Sequence, residues 1–221
     1  MNNIKLLINT INNYKGRIEY KSFSIPKKNG MERLIHAPVN ELKKVQNDIK
    51  EILEEIYNPP KAVQAFITKK QPDSKSFPGI KKNASLHIKQ RSVLNIDLKD
   101  FFPSITFPRV VGLFKAPPFN FSKESALKAG RILTLPNDSE TPNCLPQGAP
   151  TSPVISNMIC YKMDRQLMKL AQEHKCTYSR YADDITLSSH FEIHPLALKK
   201  NILDKNVIEI FLDNKLKKII N

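Results

Sequence analysis

Apolar residues recur at helical spacing in some stretches of the chain and at alternate positions in others, and this change of period separates the elements. Ile4, Leu6, Leu7 and Ile11 predict a helix within residues 1–20. Leu42, Val45, Ile49, Ile52, Leu53 and Ile56 form a longer stripe that Asn58-Pro59-Pro60 must end, because proline cannot continue a helix. A third stripe, Ile155, Met158, Ile159, Met163, Leu167 and Leu170, follows Ser152-Pro153, which predicts Ser152 as the cap and Pro153 as the first helical residue. Residues 107–133 give two short helical patterns split by Ala116-Pro117-Pro118. Phe23 to Ile35 predicts a hairpin turning near Gly30, and Val93-Leu94-Asn95-Ile96 a short strand. Two more β-rich runs, 176–181 and 185–188, flank Ala182-Asp183-Asp184 and predict a second hairpin with two acids at its tip. Pro195 to Ile210 predicts a helix and the start of a final strand. Helices mixed with antiparallel hairpins place the chain in the α+β class.

The acids supply the candidate chemistry. In the strand ending at Asp97, Leu94, Ile96 and Leu98 share one side, so Asp97 faces the other. Asp97, Asp183 and Asp184 brought together would repel one another and tend to hold a proton unless a divalent cation compensated them. An all-oxygen site that also meets phosphates suits magnesium, with manganese as the alternative ion. Two such ions about 4 Å apart are the apparatus of in-line nucleotidyl transfer. Lys28 and Arg33 flank Gly30, so the first hairpin projects basic groups from both strands, and Arg can grip phosphate oxygens bidentately.

Charge agrees with that chemistry. Lys and Arg total 35 against 21 Asp and Glu, a net +14 that favours a polyanionic partner through salt-sensitive binding. An anionic membrane surface would suit the same charge, yet no apolar run approaches the ~20 residues of a span and no signal peptide is visible, so a soluble cytoplasmic protein is expected. Cys144, Cys160 and Cys176 form no paired motif and read as buried thiols. With 221 residues the chain can bury one good core with a lobe attached.

Five segments in a fixed order resemble bacterial reverse transcriptases, especially those of retrons and, more distantly, group II introns. They are Ile25 to Ile35, Asn83-Ala84-Ser85-Leu86-His87, Asn95 to Ile105, Leu145-Pro146-Gln147-Gly148-Ala149-Pro150-Thr151-Ser152-Pro153, and Tyr178 to Ser188. The resemblance implies right-hand polymerase fingers and palm, with an antiparallel palm sheet backed by helices. Fingers would occupy 1–90 and palm 91–221, with inserted fingers helices at about 107–145. It implies that Asp97, Asp183 and Asp184 are catalytic metal ligands, and that Lys28, Arg33, Phe102 and Gln147 meet the incoming nucleotide. Phe102 falls where the family places the aromatic that excludes a ribose 2′-hydroxyl, while adjacent Phe101 takes the core. Pro146 and Gly148 would bear on the template, as would Asn83 and His87 of the retron-like signature; the polar stretch 69–82 would arch over the template path.

The function so implied is RNA-directed DNA synthesis on a structured RNA, with RNA template, DNA or RNA primer and deoxynucleoside triphosphates as partners, in bacterial antiviral defence. One feature departs from the family: Phe211 to Lys217 is a blurred form of its next palm segment, with Asp213 where Asn is usual, and the sequence stops at Asn221 where a helical thumb would follow. Weak duplex binding is expected, with a separate thumb-bearing chain or an effector protein as a further partner. An inactive nucleic-acid-binding remnant and an RNA-templated RNA polymerase stand as alternatives.

Overall fold

The computed structural model describes residues 2–26, 30–68, 77–136, 143–191, 196–202 and 207–220. In chain order its elements are α1 (Asn2–Asn13), β1 (Tyr20–Pro26), β2 (Glu32–Pro38), α2 (Asn40–Ile56), α3 (Ile80–Ser85), β3 (Ser92–Asp97), α4 (Phe107–Lys115), α5 (Lys123–Leu133), α6 (Ser152–Glu173), β4 (Cys176–Tyr181), β5 (Asp184–Ser189), β6 (Ala197–Ile202), β7 (Val207–Leu212) and α7 (Asn214–Ile220). This is the expected α+β architecture. The chain divides into two compact units, Met1–Asn58 with Asp100–Ile159, and Pro59–Lys99 with Cys160–Asn221.

The first unit is a helical core carrying a β-ribbon. Leu7 and Ile11 of α1, Leu42, Ile49 and Leu53 of α2, and Ile132 and Leu133 of α5 are all essentially inaccessible to water. Leu6, counted with the apolar face of α1, lies half exposed instead. The two-proline break after α4 lets Phe119 and Phe121 fold back on Phe114, with ring centroids 5.0 and 5.3 Å from it. Ser122 caps α5 by accepting from Ser125 N. β1 and β2 form an antiparallel ribbon in which Ile25 opposes Arg33 and Tyr20 opposes Pro38.

One cap falls elsewhere than expected. The first carbonyl to enter the α6 ladder is that of Thr151, which accepts from Ile155 N at 3.1 Å, so the cap position is Thr151. The Ser152 hydroxyl turns back and donates to Pro146 O at 2.7 Å, closing the loop that precedes the helix.

The second unit is built on a three-stranded antiparallel sheet in the order β3-β5-β4. Alternation along each strand gives it two unlike faces. Leu94, Tyr178, Ile185 and Leu187 turn to one side and pack with Leu167, Leu170 and Ala171 of α6 and Leu216 of α7. The opposite face carries Asp97, Asn95, Asp184, Thr186, Ser179 and Ser188, as the register requires.

The helix expected within 195–210 is not formed. β6 and β7 make an antiparallel hairpin there, with Ala197 opposite Leu212 and Ile202 opposite Val207. The run Val207-Ile208-Glu209-Ile210-Phe211-Leu212 favours an extended backbone and needs a partner, and pairing overrides the helical preference of Ala197 to Lys200. Asp213 then caps α7, its Oδ1 accepting from Lys215 N at 2.8 Å and Leu216 N at 3.2 Å.

Candidate active site

Asp97 is the last residue of β3 and Asp184 the first of β5, and the register sets them directly opposite each other. Directly opposed residues share a face, with Cβ atoms roughly 5 Å apart. Asp183 sits in the turn from β4 to β5, and its carbonyl accepts from Leu98 N at 3.1 Å, tying the turn to the chain leaving β3. Two of the acids are exposed and Asp183 is half-buried, so the cluster lies at an open sheet end. Partial burial raises the Asp184 carboxyl above its ordinary range, and the charges of Asp183 and Asp97 push it the same way.

Among the described residues no three His, Cys, Asp or Glu side chains close on one point as a cage for a metal ion. The three acids nevertheless fit magnesium, which keeps several waters and is usually held by one or two carboxylates plus substrate phosphates. Their all-oxygen donor set and mutual repulsion are what such an ion would satisfy.

The turn itself is anchored from the core side. Ala182 takes a left-handed conformation, φ +58°, which costs an L-residue roughly 1–2 kcal/mol. Fully buried Arg180 spans this strain: Nη1 donates to Ala182 O at 2.8 Å, while Nε and Nη2 donate to the two oxygens of Asp164, each at 2.7 Å. The Tyr178 hydroxyl completes the arrangement at 2.6 Å from Asp164 Oδ1. Burial works to lower the Arg180 pKa, and the hydrogen bonds and charge of Asp164 more than reverse this. Tyr178 is held well above its ordinary value by burial and by the Asp164 charge. The outer edge of β4 is also tied, Arg180 N donating to Ala62 O and Gln64 N to Arg180 O, each at 2.9 Å.

The sequence reading missed Arg180 and Asp164, although a signal existed. Arg180 stands at an inward position of a strand and Asp164 on the apolar stripe of α6, and two opposite charges on apolar faces predict a pair.

The remaining candidates fall in two groups. Asn83 opens the segment that ends at His87, and both lie on the open face of the sheet beside Ser179 and Ser188. Arg33, Phe102, Pro146, Gln147 and Gly148 belong to the first unit. Arg33 is exposed on β2, while Lys28 and residues 69–76 lie outside the described residues. Phe101 is buried; Phe102 is half-buried, packed on the helical core and edge-on to Phe101 at 5.3 Å. Pro146 is buried and occupied with Ser152. The Gln147 carbonyl accepts from His36 N at 2.7 Å, fastening this loop to β2. Gly148, at φ +118°, passes so close that a Cβ there would lie 2.7 Å from Ile35 Cγ2 and 3.1 Å from His36 O. The glycine is therefore required by both conformation and space.

Residues 25–219 match the family model described as reverse transcriptase (RNA-dependent DNA polymerase). Retron Mx65 reverse transcriptase of Myxococcus xanthus is 35% identical over 190 residues, covering 76% of this chain and 40% of the relative. Retron Ec86 reverse transcriptase of Escherichia coli is 34% identical over 179 residues, covering 80% of this chain and 51% of the relative. The chain thus spans about half or less of the curated relatives it matches. Among solved structures, telomerase from Candida albicans in complex with a TWJ fragment of telomeric RNA aligns with 78% of this chain and 38% of its own. Its 12% identity and TM-score of 0.49 are too slight to argue from.

Proposed function

The chain belongs to the reverse transcriptase family, and from that premise we propose that it carries the nucleotidyl-transfer centre of a retron-type enzyme that copies a structured RNA into DNA. The observation that carries this reading is the register that sets Asp97 opposite Asp184, with Asp183 in the turn beside them. Reverse transcriptases generally use divalent ions, magnesium most often, and these three acids would hold them. Bound there, two ions supply Lewis acidity that favours the primer 3′-oxygen as nucleophile and offsets charge on the leaving pyrophosphate.

The rest of the work falls to side chains of the chain itself. Arg33, together with Lys28, would offer planar and point-charge donors to a triphosphate. Phe102 presents a bulky wall that a ribose 2′-hydroxyl would meet, which disfavours an RNA-polymerase reading. Gln147 and Gly148, fastened to β2, offer a rigid backbone edge to the nascent pair, with Pro146 as support. The net charge of +14 supplies attraction for RNA template and primer. We assign the fingers to residues 1–90 and the palm to 91–221, with α4 and α5 as fingers helices. A role in antiviral defence follows from the retron likeness, and phage survival on cells carrying or lacking the gene tests it.

The test of the chemistry is primer extension on RNA with deoxynucleotides and magnesium, beside Asp183→Asn/Asp184→Asn. We expect extension that falls at least about a thousandfold in the double variant, since metal charge stabilisation is worth several kcal/mol. Incorporation of ribonucleotides should rise in Phe102→Ala. A chain that binds RNA without extending the primer would favour a binding role.

A further inference from the structure

Ser179 and Ser188 are fully buried, yet they lie on the sheet face opposite the apolar core, the face that bears the acids. What covers them is the segment from α3 to His87. His87 Nδ1 lies 2.6 Å from Ser188 Oγ and Nε2 lies 2.7 Å from Ser179 Oγ. The Ser179 hydroxyl in turn donates to Asn83 Oδ1 at 2.7 Å.

We propose that Asn83 and His87 are positioning residues for the catalytic hairpin, locking β4 to β5 across their open face through one continuous hydrogen-bond chain. The protons can be placed. Ser179 has a single hydroxyl proton and gives it to Asn83, so its contact with His87 is made by Nε2–H donating. A neutral imidazole has one N–H, so Nδ1 accepts, and Ser188 must donate to it. The chain runs Ser188, His87, Ser179, Asn83, and each group fills the role left to it. Turning the Asn83 amide over reverses every donor without breaking a link, so both ring nitrogens are consumed in either sense.

The geometry suits a brace. Ser179 pairs with Thr186, which makes Ser188 its diagonal neighbour across the two strands. Diagonal neighbours stand roughly 7–8 Å apart, too far for direct contact and about the span of an imidazole with a hydrogen bond at each end. Burial holds the ring neutral, lowering its pKa from the ordinary value. The turn that carries Asp183 and leads into Asp184 lies at the far end of the same two strands, so a hairpin free to splay would disturb how that turn is held against Asp97 on β3. This differs from the template contact expected from the sequence, because the groups on His87 that could meet RNA are already engaged.

The activity arm of the test rests on the polymerase reading; two other arms do not. For the full chain we would measure primer-extension rate, affinity for a labelled structured RNA, and amide hydrogen exchange across residues 176–189. His87→Ala should slow the rate at saturating primer-template and nucleotide about tenfold or more, leave RNA affinity within about twofold, and speed exchange in the hairpin. His87→Gln, whose amide keeps one donor and one acceptor, should recover most of each loss. If His87→Ala does not fold, Asn83→Ala removes only the end of the chain and should show the same signs more weakly. RNA affinity that falls as far as activity, with hairpin exchange unchanged, would overturn the proposal. Should the parent chain extend no primer, the polymerase reading fails while exchange and RNA affinity still decide this one.

Discussion

Two of the described antiparallel hairpins carry the candidate charged groups, Arg33 on β2 of one and Asp183 with Asp184 at the turn of the other, and they are built in opposite ways. The ribbon β1–β2 is exposed along almost the whole of β1, and Phe23, Ile25, Met31 and Leu34 all show much of their surface. In β5 every residue after Asp184 is buried, and the hairpin is the centre and edge of a wider sheet. Its turn is gripped from below by Arg180 and its strands are bridged from above by His87. The contrast follows from the chemistry each can serve. A long flexible cation reaches a phosphate from many backbone positions, whereas opposed carboxylates keep their spacing only if the strands beneath them are fixed.

The comparison breaks most severely at the buried pair. Arg180→Met leaves Asp164 uncompensated in the core and Ala182 O without its donor, and should destabilise the second unit by about 3–5 kcal/mol. Urea unfolding measures it. Replacing the Asp164–Arg180 pair together by apolar residues of similar size should cost much less, and a double variant as unstable as the single would refute the charge argument. Next in size is Gly148→Ala, where the added methyl meets Ile35 and His36 and the backbone sits at positive φ. A loss of about 1–3 kcal/mol is expected, seen as a lowered urea midpoint.

Much of this contrast was legible in the sequence. Helical and alternating periods located α1, α2, α4, α5, α6 and both hairpins, and the parity of Leu94 and Ile96 correctly turned Asp97 to the open face. Local pattern is strong where one face is buried and the other wet. It failed where a partner decides the outcome: Ala197 to Ile202 became a strand because Val207 to Leu212 pairs with it. It also misplaced the cap of α6, since nothing local reveals that the Ser152 hydroxyl is claimed by Pro146. The braces were hidden for the same reason, joining residues such as His87 and Ser188 that are far apart in the chain.

The exposed ribbon should behave in the opposite way to the buried hairpin. Arg33→Ala removes no buried contact and should change stability by less than about 0.5 kcal/mol. If the guanidinium meets the triphosphate, KM for the deoxynucleotide rises about tenfold with the hairpin's hydrogen exchange unaltered. A change of stability without a change in KM would place Arg33 in the fold and reverse the contrast.

The smallest effect concerns acid. Because burial depresses the His87 pKa below 6.5, the folded chain resists protonation there while the unfolded chain does not. The unfolded state then binds more protons as pH falls, so stability is full above 6.5 and declines as pH drops from that value through the depressed one. His87→Gln has nothing to titrate at this position and should lose less. Urea unfolding of both chains at pH about 7.5 and about 5.5 isolates the term, since the other histidines cancel in the difference. The gap between parent and variant should narrow on acidification. A gap that stays constant would mean that the ring accepts a proton as readily in the brace as in water, and that the open face of the catalytic hairpin is held by something other than a neutral His87.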